Sequence, residues 1–250
     1  MKIKTLILGS GPNVTDIRNH DVSGYDHIIA INNAWRITEA WTEIIFPYDF
    51  PDDRKPVTLT PDQSMITEQD FVSVQNDFGG FVYAGGTMAF TTLYWSLGRH
   101  QPDEIHILGC DMVYKPTGDT HFYGTGTADP LRDDITLRDL SAKSARFMCL
   151  AAMNGCNVFN LSRDASTLVF PRLHHHVQQP KMSELVNRDH VQSITAQENE
   201  LGYYVESGRY WDIKDQFDPN ALERLDHAWA ACGAELLAGC NAALANDWPV

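Results

Sequence analysis

Residues 3–13 read IKTLILGSGPN, an apolar run that passes without polar alternation into a glycine loop. A half-exposed strand alternates apolar and polar residues. Ile3, Leu6, Ile7 and Leu8 do not, so they describe a parallel strand buried on both faces and stopped by Gly9-Ser10-Gly11-Pro12-Asn13. In open sheets of this kind the ligand crevice lies beyond the carboxyl ends of the strands, where glycines let backbone N–H groups approach a phosphate. The stretch therefore constrains both the fold class and the place of a site. A tight turn with no ligand would account for the same glycines.

The rest of the chain extends the pattern. Residues 25–33 (YDHIIAINN) form a second expected strand ending in Asn32-Asn33, and residues 43–46 a third, followed by Pro47-Tyr48-Asp49. Pro47, Pro51, Pro56 and Pro61 mark residues 51–63 as a loop over the sheet edge. Thr67 is placed to cap a helix over residues 67–76. Residues 81–83 read as a strand meeting Gly85-Gly86-Thr87. The helix that follows has Met88, Thr91, Thr92 and Trp95 on one face, Ala89, Leu93 and Leu97 on another, and Gly98 as its expected cap. Residues 104–108 are a buried strand ending at Gly109-Cys110-Asp111. Residues 112–139, with Pro116, Gly118, Gly124 and Gly126 and no usable period, read as a lid. Ala145, Met148, Cys149 and Ala152 carry helical spacing up to Gly155, and residues 157–161 form the last strand.

This order predicts an α/β fold: a doubly wound, mostly parallel, Rossmann-like sheet over residues 1–175. Residues 176–250 form a C-terminal helical extension packed on it. Residues 180–211 are polar and irregular. Asp218-Pro219 then opens a long helix whose Leu222, Leu225, Trp229, Cys232 and Leu236 recur at heptad spacing. That stripe packs back on its own domain or forms a seam with a second copy, which leaves a homo-oligomer open.

The chain has 250 residues and a formal charge of −14. Such an acidic surface repels nucleic-acid backbones and anionic membranes, so no nucleic-acid partner is expected, and a bound phosphate must be met by local donors. No membrane-spanning segment is expected either, and the five cysteines, without a CxxC pair, fit reduced thiols in a cytoplasmic protein.

The glycine loop is not a dinucleotide fingerprint. Val14 stands at the third glycine position, and Asn32-Asn33 replace the acid that grips a ribose. Paired asparagines can hydrogen-bond a base or sugar without adding charge. Gly85, Gly86 and Thr87 at a helix start offer N–H groups and a hydroxyl to a phosphate. His121, in a glycine-flanked loop, could act as a general base, and Tyr114 or Tyr123 could hydrogen-bond a leaving phosphate. Exposed or packed loop positions explain the same residues. Asp111 is the best-placed carboxylate, or a cap on the lid. His174-His175-His176 alternate sides of an extended segment and have no further ligand at metal spacing, so no metal site is expected there.

These residues resemble the bacterial lipooligosaccharide sialyltransferases. Gly9-Ser10-Gly11-Pro12-Asn13 stands in place of that family's Gly-x-Gly-Pro-Ser, and Asn32-Asn33 in place of its Asn-Gln. Gly85-Gly86-Thr87 falls where the family has Thr-Ser-Gly. Glu104-Ile105, Leu108-Gly109 and Asp111 follow its E-I-x-L-x-G-x-D segment, and His121-Phe122-Tyr123-Gly124 resembles its His-Tyr-x-Gly. The resemblance spans roughly residues 1–170. It implies a CMP-linked sugar as donor, a glycan or small alcohol as acceptor, a histidine base and no required cofactor or metal. Two alternatives stay open. The absent Thr-Ser hydroxyls suit a binding module without catalysis, and Asp49 with Asp111 would suit a Mg²⁺-dependent diphosphotransferase.

Overall fold

A computed structural model describes residues 2–114, 117–126, 132–173 and 178–246. Six strands, β1 (Lys4–Leu8), β2 (His27–Ile31), β3 (Glu43–Ile45), β4 (Ser64–Ile66), β5 (Glu104–Leu108) and β6 (Asn157–Asn160), form one sheet in the order β4-β3-β2-β1-β5-β6. Every pairing is parallel, with Ile7 opposite Ile29 on one side and Ile107 on the other. This is the expected α/β architecture.

Absence of alternation in the strands has the expected cause: both faces are buried. Ile7, Ile29, Ile45, Ile105 and Ile107 face a core shared with α1 (Glu68–Asp77), α2 (Phe81–Ala84), α3 (Met88–His100) and α4 (Leu140–Met153). Leu6, Leu8, Ile28, Ala30, Ile44 and Leu108 face a second core with Val14, Ile17, Ala34 and Trp41, carried on short 3-10 turns and loops rather than on α-helices.

Local chemistry sets the helix ends. Thr67 and Asp70 complete a capping box at the start of α1, and Asp139 accepts from the Ala142 N–H at the start of α4. Three expectations are corrected. Residues 81–83 are not a strand but the turn of α2, entered from Gly79 and Gly80, both at positive φ. The fourth strand is instead Ser64–Ile66, an edge strand hidden in sequence because it has only three residues. Gly98 does not end α3, which runs on to His100 with left-handed Gln101 after it. Gly98 is needed for close packing on α1, where a Cβ would meet Val74 Cγ1 at 2.5 Å.

Beyond β6 the chain holds α5 (Met182–Leu185), α6 (Arg188–Leu201) and α7 (Pro219–Asn246). Helix α6 lies in the stretch expected to be irregular. It buries only Val191, Ile194 and Glu198, too narrow a stripe to stand out among polar neighbours. The heptad residues of α7 are buried in the same core as α3 and α4. Contrary to expectation, α7 is also long and apolar enough to cross a membrane by length and composition, at mean hydropathy 1.2.

A buried polar cluster ties these helices to the domain. Arg146 of α4 donates to Glu198 of α6 at 2.7 and 2.8 Å, to the Tyr94 hydroxyl at 2.6 Å and to the Phe78 carbonyl at 2.6 Å. Trp229 of α7 donates to Glu198 at 2.7 Å. Burial alone would push the guanidinium down, but Glu198 and Tyr94 hold it above its ordinary range.

Candidate functional site

Strand order reverses at β1. Successive strands β2, β3 and β4 step away on one side, and the chain then returns through α1, α2 and α3 to place β5 and β6 on the other. At such a switch point the loops after the two central strands separate and leave a crevice. A cavity of about 1180 Å³ lies there, lined by the loops after β1, β2 and β5, the first turn of α3 and residues 117–126.

The glycine loop serves close packing before it serves any ligand. The Gly9 N–H donates to the Leu108 carbonyl and the Gly11 N–H to the Gly109 carbonyl, both at 2.8 Å. Two of the donors expected to face a phosphate are thus committed to β5. A Cβ on Gly9 would collide with Cys110 Sγ and the Gly109 carbonyl, and one on Gly11 would stand 2.7 Å from that carbonyl. Gly9→Ala is expected to cost about 1–3 kcal/mol, the usual range for overpacking, measured by urea unfolding. A loss below about 0.5 kcal/mol would show that the two loops separate readily.

Asn32 sits in the left-handed region at φ 52, a conformation asparagine tolerates better than most residues, and turns the chain sharply out of β2. Both Asn32 and Asn33 line the cleft, and Asn33 is only 4% exposed. The Oδ1 atom of each is buried without a hydrogen-bond partner.

Asp111 and Asn13 also line the cleft, and they bind each other. Asn13 Nδ2 lies 2.6 Å from Asp111, 2.8 Å from Ser162 and 3.1 Å from Asp164, while Asn160 donates to the second Asp111 oxygen at 2.9 Å. These bonds lock together the loops after β1, β5 and β6. Cys110 lines the cleft as well, but burial raises its thiol far above the ordinary range, which removes it as a nucleophile.

Only part of the expected lid is described, since residues 115–116 and 127–131 lie outside the described residues, as does the triple histidine. Residues 117–126 are fastened rather than loose. The Phe122 N–H donates to the Ser10 carbonyl at 3.0 Å, and His121 and Gly124 exchange backbone hydrogen bonds. Thr120 Oγ1 donates to the Gly126 carbonyl, accepts from the Gly126 N–H and lies 2.9 Å from His121 Nδ1. The Thr120 hydroxyl, whose one proton can go to the Gly126 carbonyl or to Nδ1, anchors that side of the His121 ring. Tyr123 stacks on His121 at 5.0 Å between ring centres.

The fold therefore gathers Gly9, Ser10, Gly11, Pro12, Asn13, Asn32, Asn33, Thr87, Asp111, Tyr114, His121 and Tyr123 around one cleft. Gly85 and Gly86 are not part of its lining, which corrects their reading as a phosphate cradle. The Gly86 N–H donates to the Thr136 hydroxyl at 3.0 Å, and a Cβ there would strike the Tyr210 hydroxyl. Gly85, at φ 91, packs against Phe90 and Lys143. Thr87 caps α3 by accepting from the Phe90 N–H, which leaves Met88 and Ala89 of the first turn facing the cleft. Asp49 does not line the cleft.

Sequence reasoning missed the cleft's two guanidiniums, Arg36 and Arg54. Arg36 ends the turn that opens with Asn32-Asn33, a proximity visible in sequence. Arg54 lies in the proline-rich loop, where no periodicity assigns a direction. No protein-family model matches the chain, and neither a curated protein nor a solved structure is significantly similar to it.

Proposed function

We propose that the cleft binds a CMP-linked sugar and that the chain transfers the sugar to a glycan or small alcohol, in the manner of the sialyltransferases its motifs resemble. The observation that carries this reading is the pair of buried, unpartnered acceptors, Asn32 Oδ1 and Asn33 Oδ1, beside the glycine loop. A buried amide oxygen without a donor costs free energy until a ligand supplies one. The exocyclic amine of cytosine and the ribose hydroxyls are such donors. Among the described residues of the lining, the carboxylates Asp111, Asp119 and Asp164 outnumber Arg36 and Arg54, which does not favour a polyphosphate. A single phosphate ester facing the start of α3 suits it better. In an inverting transfer the acceptor oxygen attacks the anomeric carbon as CMP leaves. His121 takes the acceptor's proton, and Tyr114 or Tyr123 donates to the departing phosphate.

Asp111 and Asp164 converging on Asn13 favour a second reading, a Mg²⁺-dependent diphosphotransferase. Thermal shifts with CMP, UDP, GDP and ATP, with and without Mg²⁺, separate the two. Stabilisation by CMP without metal is the expected result, and stabilisation only by ATP with Mg²⁺ would replace the proposal with the second reading. Asn33→Ala is expected to weaken CMP binding by about 1–3 kcal/mol while changing folding stability by less, because the oxygen removed has no partner in the free protein. Unchanged affinity by calorimetry would remove Asn33 from the site.

A further inference from the structure

At the end of the sheet opposite the cleft, β2 opens with His27 and β3 with Glu43, and α3 ends with His100. One ligand atom from each of the three lies within 4.8 Å of the others. Glu43 is 8% exposed, and the side chain of His100 is nine-tenths buried. His100 Nε2 stands 2.9 Å from Glu43 Oε1 and has no further partner among the described residues. The His27 and His100 rings stack at 3.8 Å between centres. Trp95, one turn before the end of α3, donates to Glu43 Oε2 at 2.7 Å and leaves Oε1 for a second partner.

We propose that His27, Glu43 and His100 bind a zinc-class divalent cation. Two imidazoles and one carboxylate are a recurrent ligand set for Zn²⁺, with a fourth position open to water. Without a cation the same space holds the 2.9 Å contact between His100 and Glu43, which a bound metal would have to open. The His27 ring lies stacked on that of His100, so binding requires it to rotate out of the stack to present a ring nitrogen to the shared cation. Trp95 supplies the outer hydrogen bond that metal-bound carboxylates usually accept. The carbonyl end of α3 adds partial negative charge beside His100. The thirteen residues of α3 separate this site from the cleft by about 20 Å at 1.5 Å per residue, so the cation would clasp two strands and a helix rather than touch a ligand in the cleft.

Chelator-treated full-length protein titrated with Zn²⁺, and with Co²⁺ for its visible absorption bands, tests the proposal. One equivalent should bind, with a rise in Tm and tetrahedral-type Co²⁺ absorption. Affinity should fall about 100-fold or more in His27→Gln and in His100→Gln, and about 10-fold in Trp95→Phe. If His100→Gln does not fold, the more exposed His27→Gln decides alone. A variant with His174, His175 and His176 all replaced by Ala should keep the tight site. Failure of the wild type to bind one equivalent overturns the proposal. So does undiminished binding in His27→Gln, or loss of binding in the triple-alanine variant alone.

Discussion

Glu198→Ala is expected to lower unfolding free energy by about 3–5 kcal/mol, the range for removing one partner of a buried ion pair. Glu198 and Arg146 side chains are 3% and 2% exposed. Without the carboxylate, the guanidinium keeps only the Tyr94 hydroxyl and the Phe78 carbonyl, neither of which is charged, and the Trp229 N–H loses its acceptor. Against a typical total stability of about 5–15 kcal/mol, such a loss would leave little margin. The damage should spread through α4, α6 and α7 together, because the pair joins all three, so urea unfolding should move to a lower midpoint by far-UV and tryptophan signals alike.

The control is the double variant Arg146→Met with Glu198→Leu. Replacing both charges removes the unpaired ion, and the double variant should regain much of what the single variant loses. A single variant within about 1 kcal/mol of wild type would show that water reaches Arg146 and that the cluster is not the joint between the extension and the sheet domain.

That cluster also shows why the sequence discloses the two halves of the chain unequally. The sheet was legible because β1 and β2 carry unbroken apolar runs ended by glycine or asparagine, and β5, broken only by His106, ends the same way at Gly109, and a strand buried on both faces can be written in few other ways. Edge strand β4 was not, since three residues carry too little pattern and its one buried side chain is Ile66. Helix α6 was not, because part of what anchors it is the charge on Glu198, and a glutamate on a polar helix looks solvated until Arg146 is known to face it. The candidate site follows the same rule. Residues after strand ends reached the cleft because topology alone sends them there. Gly85 and Gly86 missed it because their conformations serve the contacts of Phe90, Lys143, Thr136 and Tyr210, which arrive from distant segments. The His27, Glu43 and His100 group could not be read at all, for it depends on the register that aligns the amino ends of β2 and β3 with the last residue of α3.

His121→Ala is expected to reduce transfer by about 10²- to 10⁴-fold while leaving CMP affinity nearly intact. The prediction rests on the proposed transferase function and on the anchoring of the His121 ring by Thr120. A base must be held in place at the cleft, and the hydroxyl that bridges Gly126 and His121 fixes the ring through Nδ1. Thr120→Val therefore offers a second readout that a merely structural histidine would not give. It preserves the side chain's shape and removes the hydroxyl that holds His121 Nδ1, so kcat should fall, by less than in His121→Ala, with KM for the donor little changed. Tyr123→Phe separates the stacking neighbour from the base, because it keeps the ring that packs on His121 and removes only the hydroxyl. Wild-type rates in His121→Ala would end the assignment. If the wild type binds CMP but transfers no sugar from any CMP-linked donor to glycan or alcohol acceptors, the cleft is a binding site without catalysis, and the fastening of residues 117–126 to Ser10 serves to hold a ligand rather than to place a base.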